Sequence, residues 1–145
     1  MRVLVQRVSN ARVLVDDEVV GAIKRGLLAF VCAMDDENPA IETWANRLCN
    51  LRVFADDEGR MNQSLRAIDG GLLLVPQFTL SADMNKGLRP SFARASSPAL
   101  AQRQIEQLAT ACRAQGVEVA CGRFGANMAV ELTNDGPVTL FIDKP

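Results

Sequence analysis

With 145 residues, the chain is long enough to bury one hydrophobic core and too short for two domains of ordinary size, so we expect a single domain over residues 1–145. Its composition, 48% hydrophobic and 23% charged, is that of a folded globular protein and excludes a disordered chain. The formal net charge of −1 provides no long-range attraction to a polyanion, which argues against a general nucleic-acid binder and against DNA as a partner.

The first third of the chain has the apolar alternation of β-strands. Residues 2–7, 11–15 and 18–23 alternate and predict two or three antiparallel strands, with Asp16 and Asp17 as a hairpin turn. Residues 27–32 form a continuous apolar run, which predicts a strand that is buried on both faces. An acidic turn at residues 35–37 ends this run.

A helix is predicted next. Asn38 and Pro39 form an N-cap and first-turn pair. The buried stripe of this helix is predicted to comprise Ile41, Trp44, Ala45, Leu48 and Cys49. Residues 53–54 and 72–75 continue the strand pattern, with a turn at 56–59. Residues 81–96 have no periodicity and predict a long ordered loop, a kind of segment that is more often functional than not.

A second helix is predicted to follow Ser97 and Pro98 and to end at Gly116. Its buried stripe comprises Ala101, Ile105, Leu108 and Cys112. Residues 117–121, 128–133 and 138–142 are predicted as three more strands, with residues 134–137 as the turn that joins the last two. Strands in runs and two separated helices predict an α+β domain with a curved, barrel-like, mostly antiparallel sheet.

The absence of histidine restricts the chemistry that this chain can perform. Without an imidazole, there is no Ser-His-Asp or Cys-His nucleophile and no histidine metal ligand. The cysteines have no C-x-x-C spacing, and we expect free buried thiols at Cys32, Cys49, Cys112 and Cys121. Solvation explains the carboxylates of turns such as residues 35–37 and 56–58. We expect no metal and no cofactor, so catalysis must use hydroxyls, carboxylates, backbone groups or the substrate itself.

The apolar stretches are too short for a membrane span. The longest, such as residues 26–34, run for about nine residues, whereas a transmembrane helix needs roughly twenty. The apolar part of residues 1–7 is far shorter than a signal-peptide core, and no small-residue cleavage site follows it. We therefore expect a cytoplasmic protein without a membrane partner.

Two segments and one isolated residue are candidates for a functional site. Residues 76–80 place an amide (Gln77) and a hydroxyl (Thr79) at the end of an apolar strand, where rigid scaffolds present reactive groups. Gly136 and Pro137 offer two adjacent carbonyls on a stiff backbone, which could read an amino group. Arg7 stands among apolar neighbours and carries five fixed donors. Each also has a structural explanation: a polar strand end, a hairpin turn and a solvent-facing position.

A basic segment at residues 86–94 provides a local positive patch. It could bind the acceptor end of an RNA, although for this segment alone a solvated basic loop is the favoured explanation.

A set of short segments, in a fixed order, carries a family resemblance. The segments are VQRV at residues 5–8, GLL at 26–28, ANRL at 45–48, GRMN at 59–62, QFTL at 77–80, GLRPSF at 87–92, GRF at 122–124 and NDGPVT at 134–139. Together they cover essentially the whole chain and resemble the bacterial and eukaryotic D-aminoacyl-tRNA deacylases, also called D-tyrosyl-tRNA deacylases. The resemblance implies a hydrolase that removes D-amino acids from the 3′ end of tRNA.

The resemblance also implies how substrates are selected. It implies a homodimer in which a cis Gly136-Pro137 step enters the active site of the partner and Arg7 helps to hold it. The two carbonyls would exclude an L-substituent by clash, whereas a D-substituent points away from them. Glycine has no side chain to exclude, so glycyl-tRNA is an expected second substrate.

Catalytic and binding residues follow from the same resemblance. Gln77, Phe78 and Thr79 would form the catalytic segment, whose backbone N–H groups stabilise the oxyanion while the 2′-hydroxyl of the terminal adenosine assists the attack. Thr79 has no base beside it in the sequence and is expected to position rather than to attack. Further substrate-binding residues would be Pro76, Phe124 and Met128.

Pro76 departs from the family pattern. The family usually has serine at this position, and proline removes both a hydroxyl and a backbone N–H. A related animal group with proline at the matching position tolerates some L-substrates, so relaxed specificity competes with strict D-specificity. Two functions of a different kind stay open: a non-catalytic oligomeric module that binds an amino-acid-like ligand, and a thiol hydrolase or redox protein that uses a cysteine.

Overall fold

The structure is a computed structural model that describes residues 1–35, 38–85 and 87–145. In chain order its elements are β1 (Arg2–Val15), β2 (Glu18–Ile23), β3 (Gly26–Cys32), α1 (Ile41–Asn50), β4 (Phe54–Ala55), β5 (Met61–Gln63), β6 (Gly71–Pro76), a 3₁₀ helix (Phe78–Ser81), α2 (Pro98–Ala114), β7 (Glu118–Cys121) and β8 (Ala129–Ile142). The predicted acidic turn at 35–37 and basic segment at 86–94 lie partly outside the described residues.

Strand β1 organises the main sheet, because three other strands pair with it. It pairs antiparallel with β3 along residues 2–8, with β2 along 11–15 and with β8 along 3–14. The sheet continues from β3 to β6 and β7, and these two pairings are parallel. A small separate hairpin pairs β4 with β5. The expected α+β class, with two helices and a mostly antiparallel sheet, is confirmed.

The main sheet curves until its far strands meet. An added Cβ on Gly21, in β2, would lie 2.5 Å from the carbonyl oxygen of Cys121, in β7. These two strands are at opposite ends of the hydrogen-bonded order, so their approach nearly closes the sheet into a barrel. A glycine is required at position 21 because a side chain there would collide with backbone.

Two hydrophobic cores lie on the two faces of the sheet. Leu27 and Leu72 face the core that includes the helices, whereas Leu28 and Leu73 face the interior of the curved sheet. The alternation places neighbouring residues in different cores, as the period of two requires. The prediction that the run at residues 27–32 is buried on both faces is therefore correct for β3.

Both helices pack through the predicted apolar stripes. Trp44 and Leu48 of α1 and Leu108 and Cys112 of α2 are buried in the first core. The predicted start of α1 was wrong: the helix begins at Ile41, after an N-cap residue with a left-handed backbone. Asn38 and Pro39 lie before Ala40 and outside the helix. The start of the helix follows from the packing of its apolar stripe and not from the capping sequence. Within the described residues no helix is long and apolar enough to cross a membrane.

The C-terminal strands differ from the prediction. The strands predicted at 128–133 and 138–142 are not joined by a hairpin turn: residues 129–142 form one strand, β8, whose two ends both pair antiparallel with β1. Thr139 pairs with Gln6 and Asn134 pairs with Val8, so four residues of β8 lie opposite Arg7 alone. Residues 135–138 therefore form a large bulge, and the sequence that predicted a turn lies in this bulge.

The two predicted N-terminal segments are likewise one strand. Residues 2–7 and 11–15 belong to β1, whose inward-facing positions change phase between Val5 and Val8 and again before Ala11. The pairing of β1 with β8 shifts register at the same places. The predicted turn at Asp16 and Asp17 is confirmed, and both residues have the positive φ of a type I′ hairpin.

Candidate active site

A cleft of about 540 Å³ opens where β6 ends. The end of β3, the start of α2 and residues 124–128 form its other walls. Of the residues expected in the site, five line it: Pro76, Gln77, Phe78, Phe124 and Met128. Most of the surface is apolar and includes Pro98 and Ile105 of α2. The cleft therefore suits a flat, weakly polar group, with polar groups concentrated at the end of β6.

Two main-chain N–H groups at this end of β6 have no acceptor among the described residues. Gln77 N donates to Val31 O at 2.8 Å and ends the pairing with β3. The chain then enters the 3₁₀ helix, whose first N–H groups find no acceptor within the helix. Within the described parts of the chain, the N–H groups of Phe78 and Thr79 donate to no protein atom. Two adjacent free donors can stabilise a negatively charged oxygen.

Two side chains hold the peptide unit between Phe78 and Thr79. The carbonyl oxygen of Phe78 accepts a hydrogen bond from Ser81 Oγ at 2.8 Å and lies 3.5 Å from Cys32 Sγ, whose single S–H is shared between this oxygen and the equally near carbonyl oxygen of Ala33. Both donors are buried. A trans peptide unit directs its C=O and N–H in opposite directions. The N–H of Thr79 consequently points away from these donors.

The thiol of Cys32 remains a donor over a wide pH range. Burial raises the pKa of this thiol above its ordinary value of 9.0, and this effect is larger than the lowering by hydrogen bonds that Ser81 donates to the sulfur. A protonated thiol is a weak nucleophile, so this cysteine holds the backbone rather than attacks.

The hydroxyl of Thr79 has an amide and no base as its neighbour. Gln77 Nε2 donates to Thr79 Oγ1 at 2.5 Å. An amide nitrogen cannot accept the hydroxyl proton. Among the described residues, no ionisable side chain hydrogen-bonds to this hydroxyl. This arrangement does not provide, from the residues that the structure describes, the adjacent base that a nucleophilic threonine needs.

The 3₁₀ helix is also fixed from outside the cleft. Arg2 Nη1 donates to the carbonyl oxygen of Leu80 at 2.9 Å. The rings of Phe78 and Phe92 meet edge to face, with centroids 5.1 Å apart. Phe92 lies on the long loop, which Asp83 and Ser91 close with a pair of main-chain hydrogen bonds. Of the loop predicted at residues 81–96, Ser81 belongs to the 3₁₀ helix, and the described residues Asp83, Ser91 and Phe92 tie the loop to the end of β6.

Gly122 allows the walls of the cleft to come together. An added Cβ on this residue would lie 2.8 Å from Met128 Sδ and 3.6 Å from Pro76 Cδ. The methionine and the proline therefore occupy the space that any larger residue would fill. Because the wall is packed this closely, Pro76 contributes to the shape of the cleft.

A second cluster surrounds the bulge in β8. Arg7 Nε lies 3.1 Å from both the main-chain oxygen and a carboxylate oxygen of Asp135, and Arg7 Nη1 donates to Val53 O at 2.5 Å. An added Cβ on Gly136 would lie 2.7 Å from Arg7 Nη2. The peptide bond between Gly136 and Pro137 is cis, as the resemblance implied. Arg7 therefore contacts the bulge from its base.

Asn134 closes the bulge at its base. Its Nδ2 donates to the carbonyl oxygens of Arg7 and Val138, both at 3.0 Å. A single amide group thus replaces the ladder hydrogen bonds that the extra residues interrupt. The bulge is fixed at both its ends while Gly136 and Pro137 at its tip are exposed.

The structure separates the predicted site residues into two groups. Pro76, Gln77, Phe78, Phe124 and Met128 line the cleft, and Thr79 adjoins them. Arg7, Gly136 and Pro137 form the bulge cluster and do not line the cleft of the same chain. No group of three or more potential metal ligands occurs in residues 1–35, 38–85 and 87–145.

A family model and two similar relatives agree on one family. The family model described as D-Tyr-tRNA(Tyr) deacylase matches residues 4–143. The chain belongs to this family. D-aminoacyl-tRNA deacylases of Azotobacter vinelandii and Ectopseudomonas mendocina are 54% and 52% identical to it, and each alignment covers 99% of both chains.

Solved structures show the same fold as this deacylase-family chain. One described as "c-Myc DNA Unwinding Element Binding Protein" superposes with a TM-score of 0.92 at 33% identity and covers 100% of this chain and 99% of its own. Another, described as a probable eukaryotic D-amino acid tRNA deacylase, has a TM-score of 0.83 at 20% identity, with 97% of each chain covered.

Several residues of the deacylase-family site were not identified from the sequence. Ser81, Cys32 and Arg2 hold the 3₁₀ helix, and Asn134 holds the bulge. Asn134 belongs to the segment at residues 134–139 that carried the family resemblance, so the sequence did hold a signal that could have identified it. The other three carried no signal, since their contacts join residues that are distant in sequence.

Proposed function

We propose that this chain hydrolyses the ester bond of D-aminoacyl-tRNA and releases the free D-amino acid and tRNA. The observation that carries the proposal is the pair of free N–H groups at Phe78 and Thr79, at the mouth of an apolar cleft. Membership of the deacylase family supports the choice of substrate. We place the activity in the cytoplasm, where aminoacyl-tRNA is used.

The proposed chemistry requires little from side chains. An aminoacyl ester is already activated, and attack by water on its carbonyl carbon gives a tetrahedral intermediate with a negatively charged oxygen. The N–H groups of Phe78 and Thr79 would donate to this oxygen, and collapse would expel the ribose oxygen of the tRNA. The 2′-hydroxyl of the terminal adenosine would assist the attack. Such a mechanism is compatible with a chain that has no histidine.

The apolar part of the cleft would hold the terminal adenosine. Phe124 and Met128 offer polarisable surface for a base, and Pro98 and Ile105 form the facing wall. Stacking on an aromatic ring contributes about 1–3 kcal/mol for each base. This placement would bring the ester beside Gln77 and the two free N–H groups.

Selection against L-substrates would come from the second chain of a homodimer. The tip of the bulge is exposed, is held at its base by Arg7 and Asn134, and does not line the cleft of its own chain. Strand β8 also exposes large apolar side chains, Leu140 at 37% and Phe141 at 55%, which a second copy could cover. The tip would enter the partner's cleft, where the carbonyls of Gly136 and Pro137 would leave no room for an L-side chain. Glycyl-tRNA would escape this exclusion and serve as a second substrate.

Mixed dimers test the cross-subunit arrangement. Thr79→Pro removes one free N–H and should abolish hydrolysis, whereas Gly136→Ala displaces the bulge and should reduce discrimination between D- and L-esters. If the bulge enters the partner's cleft, dimers with one copy of each variant contain one complete site and should recover D-selectivity. Retention of the relaxed selectivity of the Gly136→Ala homodimer would contradict a cross-subunit filter.

The first experiment is deacylation of paired D- and L-tyrosyl-tRNA by the purified protein, with glycyl-tRNA and added chelator as further arms. Loss of the D-ester and of glycyl-tRNA, with the L-ester and the chelator arm unchanged, is the expected result. Hydrolysis of both tyrosyl esters would show that the filter is relaxed. Hydrolysis of neither would contradict the proposal and favour a binding module.

A further inference from the structure

A second cavity, of about 530 Å³, adjoins the candidate active site. Helix α2 forms one wall, and the end of β7 with the residues after it forms the other. The two cavities share Pro76, Ile105 and Phe124. These three residues therefore separate two neighbouring spaces, and a long ligand in the first can continue into the second. We name the second space the α2–β7 groove.

The α2–β7 groove carries two arginines, Arg113 and Arg123, that pair with no carboxylate of the described residues. Arg113 Nη2 donates to the carbonyl oxygen of Val119 at 2.9 Å, which holds its guanidinium at the groove. Arg123 is exposed, and its side chain makes no hydrogen bond or ion pair with any described residue. Neither arginine belongs to a salt bridge in the described residues. Glu106, which accepts a hydrogen bond from Gln102, is the acidic residue of the lining.

We propose that the α2–β7 groove binds the phosphate on the 5′ side of the terminal adenosine, and with it the next nucleotide of the acceptor end. The inference rests on the proposed function. If Phe124 contacts the terminal base from the cleft, the strand must leave the site past one of its walls. The groove begins at that wall and offers unneutralised guanidinium groups, whose donors match phosphate oxygens. A protein of net charge −1 needs such a local contact, since its overall field attracts no polyanion.

The charges in the groove predict effects of opposite sign. Arg123→Gln removes a phosphate partner and should raise the KM for D-tyrosyl-tRNA about fivefold, the upper range for an exposed ion pair. Glu106→Gln removes a negative charge that repels the phosphate and should lower that KM. A merely structural role would not give opposite changes. Arg113 is less suitable for substitution because it also bonds to β7.

Comparison of two substrates separates binding from chemistry. D-tyrosyl-tRNA carries the phosphate, whereas adenosine esterified with D-tyrosine at its ribose 3′ oxygen does not. Arg123→Gln should change the KM for the tRNA, leave kcat unchanged, and leave hydrolysis of the adenosine ester as in the wild type. The dependence of log KM on log salt should also become less steep, by about 0.7 for one lost single-strand contact. Arg103→Gln, on the same helix but outside the groove, is the matched control.

Each outcome of this comparison decides a different point. A wild-type protein that hydrolyses neither ester contradicts the proposed function itself. A wild type that hydrolyses both, with Arg123→Gln indistinguishable from Arg103→Gln on the tRNA, overturns the phosphate site while leaving the function intact. Equal loss on both substrates would also overturn it, since the variant would then act on the cleft. A loss confined to the tRNA, together with a gain for Glu106→Gln, supports the groove.

Discussion

The buried hydroxyl of Ser81 donates a 2.8 Å hydrogen bond to the main-chain oxygen of Phe78. This oxygen belongs to the peptide unit that also carries the N–H of Thr79. Because the unit is planar, a contact on the buried side fixes the direction of the free donor on the other side. The proposed oxyanion contact thus depends on a serine that does not touch substrate.

Replacement of Ser81 with alanine should lower kcat about tenfold and leave KM unchanged, a smaller loss than removal of an oxyanion donor itself. Cys32 still holds the carbonyl in this variant, which limits the effect. Steady-state hydrolysis of D-tyrosyl-tRNA provides the measurement. Ser81→Cys, which keeps a weak donor, should recover part of the rate. Ser64→Ala, which removes a hydroxyl that accepts from Ala67 N in a distant turn, should behave as the wild type.

Gly136→Ala should destabilise the bulge and relax selectivity. The new Cβ would lie 2.7 Å from Arg7 Nη2 at a φ of +127°, so the bulge or the arginine must move. Conformations of this kind cost about 1–3 kcal/mol for a residue with a side chain. Gly59→Ala separates backbone strain from the clash with Arg7. Gly59 also has a positive φ, of +77°, but nothing lies within 4 Å of a Cβ added there. Denaturant unfolding should show losses in both variants, and the ratio of D- to L-ester hydrolysis should fall in Gly136→Ala alone.

Asn134→Ala should also reduce the ratio of D- to L-ester hydrolysis, while retaining hydrolysis of the D-ester. It removes both hydrogen bonds that close the base of the bulge, so the tip is held less firmly. Asn10→Ala is a suitable control, since its amide bonds to Thr133 across the same two strands, outside the bulge. Equal ratios in the two variants would show that Asn134 has no special part in selectivity.

The buried thiol of Cys32 should make stability fall in alkaline solution. Burial raises its pKa in the folded state above the ordinary value of 9.0. Its contribution is therefore complete below pH 9.0 and is lost as the pH rises from there toward the folded-state pKa. Cys32→Ala should show a smaller loss of unfolding free energy above pH 9.0 than the wild type. Cys121→Ala, which replaces a half-buried thiol, is the comparison, and an identical slope for Cys32→Ala and the wild type would refute this origin.

Local patterns predicted most of the strands and both helices because burial imposes a period on each of them. The alternation in β1 and the stripe of α2 are visible in the sequence for this reason. The bulge was mistaken for a turn, since the same Asn-Asp-Gly-Pro composition suits both. The pairing of β8 with β1 decides between them, and residues such as Val130 and Val13 that meet in it are far apart in the chain.

The candidate site was predictable in part for a similar reason. Gln77 and Thr79 stand out as polar residues at the end of an apolar strand. Ser81 and Cys32 do not, because a hydroxyl or thiol that bonds to a backbone oxygen leaves no pattern in its neighbours. The contact between Arg2 and Leu80 spans 78 residues and likewise has no local sign.

Strand β1 sets the distance between the two parts of the proposed site, the 3₁₀ helix beside the cleft and the bulge in β8. Arg2 fixes the 3₁₀ helix beside the cleft, and Arg7 fixes the projecting bulge. At about 3.3 Å per residue, five steps along the strand set these two anchors roughly 17 Å apart. One inserted residue between them would shift the bulge relative to the cleft and reverse which face its anchor occupies. In the proposed dimer, the length of this one strand would thus set the distance between the cleft of a chain and the bulge that the same chain inserts into its partner.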